Sequence, residues 1–408
     1  MTKEILNMDC LDVLTKLDSN SVDLVVTDPP YGYSFMGKDW DKAVVGVDIW
    51  KQCHRVLKPG SFAYVMAAPR QDVLSHMIVN LEKVGFKTGF TSMYWAYATG
   101  FPKAMNVAKA VDKKFGESNK AKALDGSYAG FQPKPAVEVI LVVMKQLNEK
   151  TYLEQAMKDR KGVSWFDDCR VPPLKSDEYD LNRRVVSTAH GIQKDDSFLD
   201  QIHDADAKHG IQSKGRFPAN LLVSDNALDL GKIVKGTKPH IITESLETNK
   251  SSKEKGWGHG RTINSIGNFG DDGDFSRYYD LDAWYSQFII TAKPSKKEKN
   301  KGLDHLPDKI GGGMSGTVKQ SMKTGSGNER NNIMKNNHPT VKPLKLMSYL
   351  VTMGSRPTNT VLDPFAGSGT TGIACIQTGR DYILIEKNKD YYNIMLERLH
   401  GTSKQQTL

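Results

Sequence analysis

Thr360-Val361-Leu362-Asp363-Pro364-Phe365-Ala366-Gly367-Ser368-Gly369-Thr370-Thr371-Gly372 is the stretch from which the fold can be read. A short apolar run ends at an acid and a proline, and a proline cannot continue a strand ladder. Three glycines at G-x-G-x-x-G spacing then open a helical pattern that passes Cys375 and Gln377 and stops at Gly379. A second apolar run follows, Tyr382-Ile383-Leu384-Ile385, closed by Glu386, which lies 19 residues after Gly367. Strand, glycine loop, helix and strand in that order predict a parallel βαβ unit with a binding crevice at the carboxyl ends of its strands.

The glycines let the backbone come close to an adenosine-bearing ligand, and a carboxylate at the next strand end can accept both ribose hydroxyls. Taken alone, the pattern fits a nicotinamide dinucleotide as well as S-adenosylmethionine. The latter has no pyrophosphate, and its ammonium favours a carboxylate near the loop, which Asp363 can supply. A tight turn with a helix-capping residue is the reading that needs no ligand.

Outward from this unit, a helix from Pro343 to about Met353 precedes it and another runs on to about Leu399. A piece of roughly 70 residues buries little by itself, so it is expected to complete a sheet begun elsewhere in the chain. The first 145 residues supply one. Glu4 to Asn7, Val22 to Thr27, Phe62 to Met66, Met93 to Trp95 and Val137 to Val143 read as strands, while Leu11 to Leu17, Val47 to Leu57, Gln71 to Val84 and Met105 to Phe115 carry helical spacing. The expectation is an α/β, Rossmann-like fold with a mainly parallel sheet and helices on both faces. From Thr151 the pattern dissolves into polar and aromatic pieces, so residues 1–150 and 331–408 are expected to form one split domain around an insert at 151–330.

A second chemical signal follows the apolar run Val22 to Val26: Thr27-Asp28-Pro29-Pro30-Tyr31. Two prolines force the chain rigidly out of the sheet, leaving a carboxylate and an aromatic ring at its carboxyl edge. A nucleobase amino group offers two hydrogens and a weakly nucleophilic lone pair. Asp28 and the Pro29 carbonyl can accept the hydrogens, turning the lone pair toward a methyl donor, while Tyr31 can stack on the base. A plain turn is the alternative. A hydride-transfer enzyme would leave this element unused, which weighs against the dinucleotide reading.

Composition narrows the class further. The chain has 408 residues, 38% hydrophobic and 25% charged, which excludes disorder as its main state. No run of 18 apolar residues and no basic-then-apolar leader occur, so neither membrane nor secretion is indicated and the cytoplasm is the expected location. Cys10, Cys53, Cys169 and Cys375 are too far apart for a zinc pair or a compact disulfide framework and are expected to be free thiols; no metal is expected. Net charge is +9, and the stretch Lys293 to Lys345, with twelve basic and four acidic residues, holds nearly all of it. Such a block suits a polyphosphate partner, although a solvated lysine-rich loop is the bland alternative.

Together these motifs resemble the amino-methyltransferases that methylate exocyclic nitrogens of DNA bases. Asp28-Pro29-Pro30-Tyr31 resembles their catalytic motif, and Asp363-Pro364-Phe365-Ala366-Gly367-Ser368-Gly369 their methyl-donor motif. His338-Pro339-Thr340-Val341-Lys342-Pro343 is similar to the donor-side element, Met8-Asp9-Cys10-Leu11 to the segment whose acid approaches the adenine of the cofactor, and Glu386 to the ribose-binding acid. Catalytic motif first and donor motif last is similar to the β arrangement of that family. Phe101-Pro102-Lys103, Lys134-Pro135-Ala136 and the loop Gly32 to Trp40 resemble its phage and prophage subset.

The resemblance implies S-adenosylmethionine as cofactor and DNA as partner. It places Asp28, Pro29, Pro30 and Tyr31 at the reacting base, and Asp9, Cys10, Thr340, Lys342, Pro343, Asp363, Phe365, Gly367, Gly369, Thr370 and Glu386 at the donor. A flipped base would attack the methyl directly, without a covalent enzyme intermediate. Asp rather than Ser at position 28 leans toward adenine N6 over cytosine N4. An RNA methyltransferase and a catalytically dead DNA-binding relative are the competing classes, and a homodimer and a cognate restriction enzyme are open partners. Phe35 and Trp40 follow closely enough to cover a base, and Arg170, Arg183, Arg184, Arg216, Arg261 and Arg277 are candidates for DNA contact in the insert.

Overall fold

A computed structural model of the chain describes residues 3–32, 41, 43–97, 104–116, 118–131, 133, 136–172, 217–223, 281, 300, 302–303, 306–310, 321–323, 329–331, 333–336, 338 and 340–406. Described elements of the N-terminal part are β1 (Lys3–Leu6), α1 (Cys10–Leu14), β2 (Leu24–Thr27), α2 (Val47–Val56), β3 (Phe62–Ala67), α3 (Gln71–Lys83), β4 (Met93–Ala96), α4 (Val107–Phe115), α5 (Ser118–Ala123) and β5 (Val137–Met144). After them come α6 (Tyr152–Asp159), β6 (Leu221–Val223) and four short strands, β7 (Lys309–Ile310), β8 (Ser321–Lys323), β9 (Glu329–Asn331) and β10 (Ile333–Met334). The C-terminal part holds α7 (Leu344–Gly354), β11 (Thr360–Asp363), α8 (Thr370–Thr378), β12 (Asp381–Ile385) and α9 (Lys389–Gln406).

One eight-stranded sheet runs β1-β12-β11-β2-β3-β5-β4-β6. The five strands from β1 to β3 are parallel to their neighbours, whereas β5 is antiparallel to both β3 and β4, and β6 is parallel to β4. As expected, the C-terminal strands complete the N-terminal sheet: β11 and β12 insert between β1 and β2. β7 with β10, and β8 with β9, form two small antiparallel pairs.

Strand alternation divides the core into two layers. Leu24, Val26, Tyr64, Met66, Val361 and Leu384 face α7, α8 and α9, whose Leu346, Leu350, Cys375 and Met395 pack against them. Val25, Ala63, Val65, Leu362, Ile383 and Ile385 face the other way, onto Leu14 of α1, Trp50 and Cys53 of α2 and Met77 and Leu81 of α3. All four cysteines are buried free thiols. α1 is shorter than the spacing suggested, because Lys16 and Leu17 donate to Val13 and Leu14 and tighten the chain into turns. α9 runs past Leu399 to Gln406.

Residues following β5 pack onto the same core. Thr151 opens α6 with a reciprocal cap, its hydroxyl accepting from Glu154 N and the Glu154 carboxylate accepting from Thr151 N. Lys161 then reaches Asp23, Trp165 N donates to Met353 O at 2.9 Å, and Cys169 lies in the core beneath α7. Among the described residues, no helix is long and apolar enough to cross a membrane.

Asp23 joins these parts. It is 4% exposed at the start of β2, with Lys161 Nζ at 2.6 Å, Lys58 Nζ at 2.7 Å and Thr360 N donating to Oδ2 at 3.0 Å. Its carboxyl lies below the ordinary range: burial pushes it up, and Lys161 and Lys58 more than reverse that. Asp23→Ala strands the nearly buried Lys161 ammonium without its partner, so a loss of about 3 kcal/mol is expected. Urea unfolding should show the midpoint falling at unchanged slope.

Candidate active site

The site forms where β2 and β11 leave the sheet side by side. Thr27, fully buried at the end of β2, donates from Oγ1 to Asp363 Oδ1 at 2.8 Å. Beyond it the diproline carries the chain out, and a buried carboxylate turns it: Asp41 Oδ1 accepts from Tyr31 N at 2.7 Å and Gly32 N at 2.9 Å. Gly32 has φ +79°, and a Cβ there would stand 2.8 Å from Val44 N.

This turn returns the Tyr31 hydroxyl to Asp28, to which it donates at 2.6 Å on Oδ1, with Glu138 Oε2 at 3.1 Å. Lys342 Nζ takes the other oxygen, Asp28 Oδ2, at 2.6 Å, lies 3.3 Å from Glu138 Oε2 and sits 5.6 Å above the Tyr31 ring. Burial and the two carboxylates push the phenol well above its ordinary range. Burial works against the Lys342 charge, but Asp28 and Glu138 more than offset it and hold the ammonium protonated.

On the β11 side, the glycine spacing has a packing reason at each position. Gly367 has φ +54°, and a Cβ there would meet the His338 imidazole at 2.6 Å. Gly369 has φ +81° as the N-cap of α8, and Gly372 lies so close to β12 that a Cβ would stand 2.4 Å from Leu384 Cδ1. Asp363 underlies the loop at 3% exposure, accepting from Thr27, Thr371 Oγ1 at 2.5 Å and Phe365 N at 3.1 Å. Burial raises its carboxyl to about 6 despite these donors. Arg398, from α9, donates to Ser368 O and Oγ and braces the loop from behind.

Glu386 closes the loop from the next strand. Its Oε2 accepts from Gly367 N at 2.9 Å and its Oε1 from Asn388 N at 2.7 Å, leaving each oxygen a lone pair for a ligand hydroxyl. Burial raises this carboxyl too. Asp9 caps α1 by accepting from Leu11 N at 2.9 Å and receives Lys387 Nζ at 3.0 Å. Burial pushes the adjacent Cys10 thiol up to about 12, so it is no thiolate nucleophile.

A cavity of about 800 Å³ joins the two sides. Asp28 and Pro30 line it together with Asp9, Cys10, Thr340, Lys342, Asp363, Phe365, Gly367, Thr370 and Glu386. Pro29, Tyr31, Pro343 and Gly369 are not in its wall: Pro29 is buried, Tyr31 stands behind Asp28, Pro343 is the N-cap of α7 and Gly369 that of α8. Lys342, expected at the donor, reaches across to the carboxylate of the other motif.

Sequence reasoning missed Glu138 and Asp41. Neither carries a local signal, since Glu138 stands in an apolar strand and Asp41 ten residues past Tyr31. It also left His338 and Tyr391 out of the site, although both line the cavity, with their rings edge to face at 4.4 Å. Lys342, like Lys335 and Lys345 of the basic block, is turned inward: Lys335 donates to Leu306 O and Lys345 is buried. Arg170 is paired with Asp167 at 2.9 Å and lies over the Phe217 ring. Phe35, Trp40, Phe101-Pro102-Lys103, Lys134-Pro135, Arg183, Arg184, Arg216, Arg261 and Arg277 lie outside the described residues.

Burial, with Lys342 and Arg398 nearby, pushes His338 down to about 3. Its imidazole is expected to stay neutral, with NMR resonances that do not shift between pH 8 and 5. The unfolded histidine takes up a proton near its ordinary pKa of about 6.5 while the folded one does not, so His338 subtracts stability as pH falls below that value. His338→Gln should flatten the acid limb of a stability curve followed by urea unfolding.

The family described as DNA methylase matches residues 22–397. DNA adenine methyltransferase YhdJ of Escherichia coli (strain K12) is 49% identical over 67 residues, 16% of this chain and 23% of that protein. Type II methyltransferase M2.MboI of Moraxella bovis is 43% identical over 63 residues, 15% of this chain and 23% of its own length. The aligned stretches thus span about a quarter of the length of these curated relatives. Among solved structures, PvuII DNA methyltransferase (cytosine-N4-specific) superposes with a TM-score of 0.43 at 14% identity, covering 98% of this chain and 86% of that one. With the family match running from the start of β2 through both motif sides into α9, the chain belongs to the DNA methylase family.

Proposed function

We propose that this protein transfers a methyl group from S-adenosylmethionine to the exocyclic amino group of a DNA base, adenine N6 in preference to cytosine N4. The observation that carries the reading is the single cavity shared by Asp28 and Pro30 on one side and the Gly367 loop with Glu386 on the other. Its volume suits an adenosine-sized ligand. The donor set suits this cofactor as well: Glu386 and Asp9 offer acceptors for hydroxyl and amino hydrogens, and Phe365, Ile49 and Tyr391 offer apolar surface.

When bound, S-adenosylmethionine supplies a sulfonium methyl to which the amino nitrogen can bond as the sulfur–carbon bond breaks and its electron pair returns to sulfur. The protein's part is orientation. Asp28 and the Pro29 carbonyl accept the amino hydrogens and rotate the lone pair out of conjugation with the ring, which makes the nitrogen nucleophilic. The alkylated nitrogen is strongly acidic while cationic, so its proton can pass to water. Lys342 lies over the Tyr31 ring, which stands outside the cavity wall, so Tyr31 acts through its hydroxyl on Asp28 and not as a stacking surface for the base. Within the expected insert 151–330, the residues from Thr151 to Pro172 and β6 pack onto the core and the main sheet, so a DNA-reading role is proposed for the remainder of that region.

Asp at position 28 and the similarity to an adenine methyltransferase support the preference for adenine. The test is transfer of labelled methyl from S-adenosylmethionine to unmethylated bacterial DNA, with nucleoside mass spectrometry and sequencing of the modified sites. N6-methyladenine is expected; N4-methylcytosine would reverse the base assignment, and labelled RNA without labelled DNA would replace the substrate. Asp28→Ala should reduce transfer below detection while donor affinity by calorimetry stays near the wild type. Loss of both would make Asp28 a folding residue.

A further inference from the structure

Glu138 is an acid at the site to which the proposed chemistry gives no task. It lies at the start of β5, whose antiparallel course delivers that end of the strand to the carboxyl edge of β3: Val139 pairs with Ala67, and Glu138 stands one position beyond. Two carboxylates therefore face one ammonium. Side-chain exposures are 16% for Asp28, 19% for Glu138 and 8% for Lys342. A buried ammonium keeps its charge only with an anionic partner, and Asp28 fills that role at 2.6 Å, while Tyr31 takes its other oxygen at 2.6 Å. One of those two oxygens, together with the Pro29 carbonyl, is also the acceptor a base amino group requires. A cation and a phenol at such short range crowd the remaining lone pairs.

Resting on the methyltransferase reading above, we propose that Glu138 is a positioning residue, which receives Lys342 and Tyr31 when a base amino group takes up Asp28. The exchange needs only small side-chain rotations, because Lys342 Nζ and Tyr31 Oη already lie 3.3 and 3.1 Å from Glu138 Oε2. Without Glu138, freeing Asp28 would leave the Lys342 charge buried and unpartnered. With it, two carboxylates against one ammonium keep a net negative charge near the amino nitrogen, which becomes positive as its bond to the methyl carbon forms. No proton or electron passes through Glu138.

Glu138→Gln keeps the shape and removes the charge. On the DNA site identified by sequencing, kcat is expected to fall on the order of tenfold to a hundredfold. KM for DNA should rise by no more than the donor-free preference described below, and donor affinity by calorimetry and the thermal midpoint should stay at wild-type values. Glu138→Asp, which restores the carboxylate one methylene shorter, should recover part of kcat. A readout without turnover accompanies these: in the absence of donor, the wild type should bind a duplex carrying the target base more tightly than one whose target base lacks the amino group, and Glu138→Gln should lose that difference. Wild-type kcat in Glu138→Gln overturns the proposal. So does a loss of kcat accompanied by equal losses of donor binding and thermal midpoint in both variants, which would make Glu138 a structural brace. If the wild type transfers no methyl group while binding the donor, the underlying reading fails, and this proposal with it.

Discussion

The pairing of β2 with β11 is the contact on which the rest of the molecule depends. The two strands stand more than three hundred residues apart in the chain, yet they are joined at both ends. At the start, Asp23 N donates to Thr360 O and the Asp23 carboxylate accepts from Thr360 N. At the finish, Thr27 donates to Asp363, which also holds Thr371 and the turn at Phe365. Both strands therefore end at one level, and each then leaves the sheet at a proline. Closing so long a loop costs entropy that grows only slowly with its length, so burial of two apolar strands can offset it.

That juxtaposition produces the chemistry. Were the two strands displaced in register, the Asp-Pro-Pro-Tyr exit and the glycine loop would open onto different levels of the sheet and share no cavity. The crossing of Lys342 from the segment before α7 to Asp28 is a second tie between the two sides, made of charge rather than backbone. Its burial explains why part of the basic surplus in the sequence is internal: an ammonium surrounded by Asp28, Glu138 and the Tyr31 ring contributes to the site and not to a solvated cationic surface.

Much of this architecture was legible beforehand. Short continuous apolar, β-branched runs and the helical runs between them placed the strands and most helix bounds, because strands buried on both faces need apolar residues at every position while helices keep a 3.6-residue period. The glycines at 367, 369 and 372 announced a tight loop, and the structure gives each its reason in a left-handed φ or a neighbour within 2.6 Å of an added Cβ. Where periodicity misjudged an end, as in α1, local hydrogen bonds in the last turn decided it, and these leave little trace in the pattern.

What the sequence by itself determined is the local chemistry: a strand that must end at Pro29 and Pro30, a loop that must be glycine, acids at the strand ends, and a C-terminal piece too small to stand alone. Those follow from rotations that proline and glycine allow or forbid and from the apolar area a short segment can bury. Tertiary structure alone decided which distant groups meet. The reversed direction of β5 turned an acid inside an apolar strand into a neighbour of Asp28, Asp41 folded back to hold the diproline exit, and Lys342 moved from one side of the cavity to the other. Such meetings depend on strand direction and order, which are set by the packing of the whole sheet and carry no signature at any single residue.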